Sequence, residues 1–102
     1  MNLKPGSRWK SSVCTAEVVV VKPPKGEVSL ECGGASMVAL SEQKPEGLAV
    51  DPAHASGVQT GKRYFDEETG IEVLGSKPGA GSLAVNGRPL QLREAKALPA
   101  SD

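Results

Sequence analysis

Short apolar runs, each ended by Gly or Pro, divide the chain into extended segments. Thr15–Val21 holds the strongest of them, with four consecutive valines at Val18–Val21. Four β-branched residues are stiff at χ1 and suit a pleated surface covered on both faces. A helix over the same positions would be apolar all round and would offer no polar stripe. Pro23-Pro24-Lys25-Gly26 closes this segment as a turn. Glu27–Cys32 then alternates, placing Val28, Leu30 and Cys32 on one side as in a half-buried strand. Gly33-Gly34 bends the chain before a further apolar stretch, Met37–Leu40. Trp9–Cys14 is a weaker strand candidate, because its Lys-Ser-Ser centre is polar.

The later part of the chain repeats this grammar. Arg63–Asp66, Glu67–Gly70 and Ile71–Leu74 read as strand, turn and strand. Leu83–Val85, Asn86-Gly87 and Arg88–Leu92 form a hairpin signal, since Asn-Gly accepts the two positive-φ positions of a type I′ turn. Pro89 lacks an N–H and is expected at an edge or an unpaired position. Arg93–Ala97 is expected to make a brief helical turn and Pro99–Asp102 a frayed tail. Between the two strand-rich stretches lies a connector, residues 41–60, rich in Pro, Ala, Gly and Ser. Within it, Asp51-Pro52-Ala53-His54 has the cap and the early proline of one short helical turn.

The two stretches also match residue by residue at a spacing of 55. Gly6, Arg8 and Trp9 align with Gly61, Arg63 and Tyr64. Glu17 aligns with Glu72, Lys22-Pro23 with Lys77-Pro78, and Gly26 with Gly81. At the same spacing Val28 and Leu30 meet Leu83 and Val85; a two-residue shift then pairs Gly34 with Gly87 and Met37 with Leu90. Shared Gly and Pro positions imply shared chain paths, because these residues constrain or release φ. The expectation is a single mainly β domain over residues 1–102, a small barrel or compact two-sheet fold. It would be built from two pseudo-repeated strand units, about 6–40 and 61–92, packed about a pseudo-twofold axis so that each covers edges of the other.

Composition narrows the choice of partners. Only one Ile, one Phe, one Tyr and one Trp are present in 102 residues, so Val and Leu supply most of a lean core. A second copy of the chain, covering apolar strand faces, is therefore an expected partner, alongside a protein or small-molecule ligand. Lys plus Arg and Asp plus Glu balance at 12 each. No basic excess supports nucleic acid or an anionic membrane through counterion release. The longest aliphatic run is four residues, far short of a membrane span. The first residues carry no apolar leader, which predicts a cytoplasmic protein with thiols rather than a structural disulfide.

Candidate chemistry is sparse. Cys14, Cys32, Met37 and His54 are the soft or imidazole positions, a set suited to copper or zinc. No C-x-x-C is present, and two buried cysteines acting as small apolar side chains are the competing reading. Cys32-Gly33-Gly34 leaves a thiol open to approach, yet nothing in the sequence ties His54 to it as a base. Gly79–Ala84 has the spacing of a dinucleotide-binding loop, but a hairpin follows where that site needs a helix N-terminus. Arg8/Trp9 and Arg63/Tyr64 are shared Arg–aromatic pairs and candidate ligand or partner contacts. Alternation places the aromatic inward and the Arg outward, with Glu17 and Glu72 in reach of the arginines across strands. The first functional expectation is a noncatalytic accessory or binding module for a protein or small ligand. The alternatives are a small metal-binding or thiol protein using Cys14 and Cys32, and a small enzyme with an Arg/Glu polar site at a subunit interface.

Overall fold

The valine run forms the centre of the molecule. In the computed structural model, which describes residues 3–45 and 47–93, it lies in β2 (Glu17–Lys22). Around it are β1 (Arg8–Lys10), β3 (Leu30–Cys32), β4 (Ala35–Ser36) and β5 (Val38–Ala39). The later stretch supplies β6 (Arg63–Phe65), β7 (Glu72–Lys77), β8 (Leu83–Val85), β9 (Arg88–Pro89) and β10 (Gln91–Arg93). The connector makes one 3-10 turn, Pro52–His54, with the Asp51 side chain accepting from the Ala53 N–H. The helical turn expected at Arg93–Ala97 begins on Arg93, which belongs to β10. Its remaining residues, like the expected tail, lie outside the described residues.

These strands make two antiparallel sheets. One has six strands in the order β10-β6-β7-β2-β1-β5, the other four in the order β4-β3-β8-β9. Each sheet ends in two different edge strands, so the described strands form a two-sheet fold and no barrel closes. Both orders read as mirror sequences once β1–β5 is matched with β6–β10. The registers agree with that matching. β1 pairs with β2 through Trp9 and Val18, and β6 with β7 through Tyr64 and Val73. At the centre, Val19 faces Leu74, while Glu17 faces Lys77 and Lys22 faces Glu72. In the second sheet Glu31 faces Ala84, flanked by Leu30 with Val85 and Cys32 with Leu83. Such pairing is that of a local two-fold axis passing between Val19 and Leu74 and between Glu31 and Ala84.

Several expectations shift: Arg88–Leu92 divides into β9 and β10 in different sheets, and only Leu30–Cys32 of Glu27–Cys32 is strand. The first strand stops at Lys10, because Ser11 and Ser12 turn inward and are buried in a loop. The change of spacing also comes earlier than the glycines suggest. Leu30–Cys32 corresponds to Leu83–Val85 in register, so Leu30 matches Leu83 and the two extra residues lie in the loop after β2. Both hairpins that follow take positive φ at their two turn residues, Gly33-Gly34 and Asn86-Gly87. The pairing of β2 with β7 is interrupted at both ends, between Glu17 and Val18 and between Val20 and Lys22. Such bulges increase local twist and bend the strands over the core.

One hydrophobic cluster joins the sheets. Val18, Val20 and Val73 come from the larger sheet and Leu30, Cys32, Leu83 and Val85 from the smaller, with Trp9, Tyr64, Met37 and Ile71 around them. Each fully buried aliphatic side chain of this kind contributes about 1.5–3 kcal/mol. Trp9 and Tyr64 point inward and are about nine-tenths covered, at 9% and 8% exposure.

Candidate functional site: a pair of thiols between three loops

Cys14 and Cys32 are distant from each other along the chain, and the fold brings their sulfurs to 4.0 Å. Both are free thiols. Cys32 ends β3 and is fixed on two sides, by Leu83 of β8 and Ala35 of β4. It is fully buried. Cys14 sits on the loop between β1 and β2 and is only partly covered. Ser11 shapes that loop: its Oγ accepts from the N–H groups of Val13 and Cys14, both at 3.1 Å. The Ser11 N–H donates to the Ala16 carbonyl at 2.9 Å and closes the loop at its base.

The backbone of the other half lies against the sulfurs. A side chain on Gly79 would place its Cβ 2.7 Å from Cys14 Sγ, and one on Gly81 would place it 3.2 Å from Cys32 Sγ. Glycine at these two positions is therefore a condition for the approach. The loop is tied down by Thr15 Oγ1, which donates to the Pro78 carbonyl at 2.8 Å, and by the Gly33 N–H, which donates to Ser82 at 2.9 Å. The connector supplies a third wall. Lys44 Nζ donates to the Cys14 carbonyl at 2.6 Å, and the Asp51 N–H donates to the Gly33 carbonyl at 3.0 Å.

The two thiols have opposite electrostatic surroundings. Burial raises the Cys14 thiol, but hydrogen bonds from the Ser11 hydroxyl, the Ala16 and Gly81 N–H groups and the Cys32 thiol outweigh it. Cys14 ends below the ordinary cysteine value. Cys32 is pushed up to about 12, first by burial and then by the neighbouring Cys14. A partly exposed, more acidic sulfur thus stands in front of a covered one that keeps its proton.

The other soft candidates belong to the core and the connector, Met37 in the cluster that also holds Cys32. Met37 is 2% exposed within the core. His54 ends the 3-10 turn, where its ring lies beside Gly34. Among the described residues no group of three or more His, Cys, Asp or Glu side chains comes together as a metal cage. Sequence reasoning named the cysteines but missed Ser11, Gly79 and Gly81. The glycines were visible as a motif; their partner, a loop of the other half, was not.

The matching place in the second half holds an ion pair. Asp66 occupies the position of Ser11 and Thr69 that of Cys14. Asp66 Oδ2 accepts from the Thr69 N–H and hydroxyl at 3.0 and 2.8 Å. Arg88 completes the set, Nε to Oδ1 at 2.9 Å and Nη2 to Oδ2 at 2.8 Å. The Arg88 bonds come first, and outweigh burial with the help of Thr69, in holding this carboxyl far below the usual carboxylate range.

The Arg–aromatic candidates divide between the two faces of the larger sheet. Arg8, Val19, Leu74, Arg63 and Arg93 follow one another across its outer face. Glu72, itself 3% exposed, takes Arg63 at 3.3 Å and Arg93 at 3.2 Å, and Arg93 also covers the Phe65 ring. Its counterpart Glu17 is taken by Lys77 instead, at 3.3 Å. Tyr64 faces the opposite way, and with His54, Leu83, Pro89, Leu90 and Leu92 it lines a cleft of about 300 Å³. Compared with protein-family models, with curated proteins and with solved structures, the chain shows no match.

Proposed function

We propose that the chain is a small dithiol protein whose Cys14–Cys32 pair exchanges with a disulfide of a partner molecule. The observation that carries this reading is the 4.0 Å approach of two free thiols, one on a loop and one at the end of a strand. Cys14 is the attacking group. As a thiolate it joins one sulfur of the partner disulfide and releases the other as a thiolate, which leaves a mixed disulfide. Cys32 then gives up its proton, attacks Cys14 Sγ, and expels the second partner thiolate. The chain ends as a Cys14–Cys32 disulfide and the partner as two thiols, so two electrons have passed. Closing the bond brings the sulfurs to about 2.05 Å. That motion of roughly 2 Å falls to the Cys14 loop, since Cys32 is held by two neighbouring strands. In a reducing compartment such as the cytoplasm the resting form is the dithiol.

The experiment is oxidation of the folded, reduced chain with diamide or a low-molecular-weight disulfide, followed by peptide mapping. The expected product is an intramolecular Cys14–Cys32 bond, with Cys32→Ser trapping a mixed disulfide at Cys14. Thiols that stay unreacted until the chain is unfolded would rule the reading out.

A second reading rests on the cleft, and is the binding module expected from sequence. Leu92 is 42% exposed at its rim, and Tyr64 Oη accepts the Gln59 N–H at 2.9 Å with its own proton free to donate. Apolar walls with a few polar atoms suit a small amphipathic ligand. On the matched registers, we also read the two halves as copies of one ancestral unit.

A further inference from the structure

We propose that the reduced Cys14–Cys32 pair is a binding site for a single soft monovalent cation, Cu(I), held by the two sulfurs alone. The inference shares with the redox reading the requirement that both cysteines be free thiols able to meet. It makes a separate claim about what they hold.

Distance permits a bridging cation, and donor type and number favour this class of ion. With metal–thiolate bonds of about 2.3 Å, sulfurs 4.0 Å apart subtend an angle of about 120° at a cation between them. The pair is therefore already within bridging reach of one cation, and any opening towards the near-linear arrangement of a two-coordinate ion falls to the partly exposed Cys14 loop. Thiolates are the soft donors that favour Cu(I). Zinc also takes thiolates but is completed by three or four protein ligands. Here no third His, Cys, Asp or Glu joins the pair among the described residues. His54 and Met37, the other candidates from the sequence, are positioned by the connector and the core respectively, and are not needed by a two-coordinate ion.

Charge also fits. Two thiols bind Cu(I) with release of two protons, which leaves a complex of charge minus one. Ser11, whose Oγ holds the Val13 and Cys14 N–H groups, fixes the loop that presents the Cys14 sulfur. The Lys44 ammonium lies nearby, on the Cys14 carbonyl. Because protons leave as the metal enters, apparent affinity rises with pH. A side chain at Gly79 or Gly81 would press on the sulfurs where the loop crosses them.

The test is an anaerobic titration of the reduced chain with Cu(I) supplied as its bicinchoninate complex, read by loss of that complex's colour. One Cu(I) per chain is expected, with both thiols protected from a thiol reagent. Cys14→Ser and Cys32→Ala should each abolish binding while circular dichroism shows the β fold intact. Should Cys32→Ala fail to fold, Cys14→Ser alone decides, since Cys14 lies on a partly exposed loop. Ser11→Ala, which loosens the loop presenting Cys14 and removes no sulfur, should weaken binding by about 10- to 100-fold. Diamide-oxidised chain should bind none, and Zn(II) should not displace the Cu(I). Copper uptake that survives Cys14→Ser, a stoichiometry well under one, or equal competition by Zn(II) overturns the proposal. A chain that forms the Cys14–Cys32 disulfide yet takes up no Cu(I) defeats this inference and leaves the redox reading standing; one that binds Cu(I) but resists diamide does the reverse.

Discussion

At the scale of single residues, two side chains in matching positions show how one loop shape serves two chemistries. Ser11 and Asp66 each collect the N–H of the residue three places on, Cys14 in one loop and Thr69 in the other. A hydroxyl leaves its loop neutral, and its neighbour is a thiol. A carboxylate demands a cation, and Arg88 provides it. Replacing Asp66 with Asn removes two charge-assisted bonds and leaves the guanidinium underused, so a loss of about 1–3 kcal/mol is expected. The pH dependence has a definite sign. The folded carboxyl titrates below its unfolded value, so its contribution is present above about pH 4 and is lost as pH falls below that. Urea midpoints for the native chain and Asp66→Asn should therefore differ at pH 7 and converge towards pH 2. A gap that stays constant on acidification would count against the assignment. None of this was legible in the sequence, where Asp66 reads as the last residue of a strand and Arg88 as the far side of a hairpin.

Among the elements, the strands were the readable part and the loops the unreadable one. Four valines leave little choice but β2, and Asn86-Gly87 announces the β8–β9 turn through its backbone requirements alone. The first strand ends at Lys10, at the polar Lys-Ser-Ser centre that weakens it in the sequence, because Ser11 and Ser12 leave the sheet. Burial in the loop satisfies them instead: Ser12 donates to the Ser36 carbonyl at 2.6 Å. The thiol site depends on the segment 78–82 crossing over 11–16, a meeting of two halves that neither local pattern encodes. That crossing yields a prediction. A Cβ on Gly79 would lie 2.5 Å from the Ala16 nitrogen as well as against Cys14 Sγ. Gly79→Ala is expected to cost about 1–3 kcal/mol by overpacking, and to slow diamide closure of the Cys14–Cys32 bond. Gly87→Ala, at a positive-φ turn with open space around it, should cost about 1 kcal/mol and leave the closure rate unchanged. Equal closure rates in the two variants would remove the role given to the loop.

For the whole molecule, the halves meet through both sheets at once: β2 pairs with β7 in one and β3 with β8 in the other. Neither half keeps a covered sheet without its partner, so the chain should unfold in one step. Trp9 fluorescence reports the first half only, and far-UV circular dichroism reports both. Their urea transitions should coincide; a Trp9 transition that precedes the loss of β signal would show the halves to be independent. The spacing of 55 foreshadowed the pairing of like with like, since Arg8, Trp9 and Glu17 take the registers of Arg63, Tyr64 and Glu72. It offered no view of the wall at Gly79 and Gly81, because that part of the sulfurs' surroundings comes from the opposite half.

The central pairs, Val19 with Leu74 and Glu31 with Ala84, have a last consequence. Were two identical chains to meet on the same axis, each residue there would face itself, and any change would be made on both flanks together. Joined into one polypeptide, the two flanks are written separately and can drift apart without disturbing the seam. Such freedom would suit a molecule that is even-handed at its middle and lopsided at its ends, a pair of thiols on one flank and a fixed ionic clasp on the other.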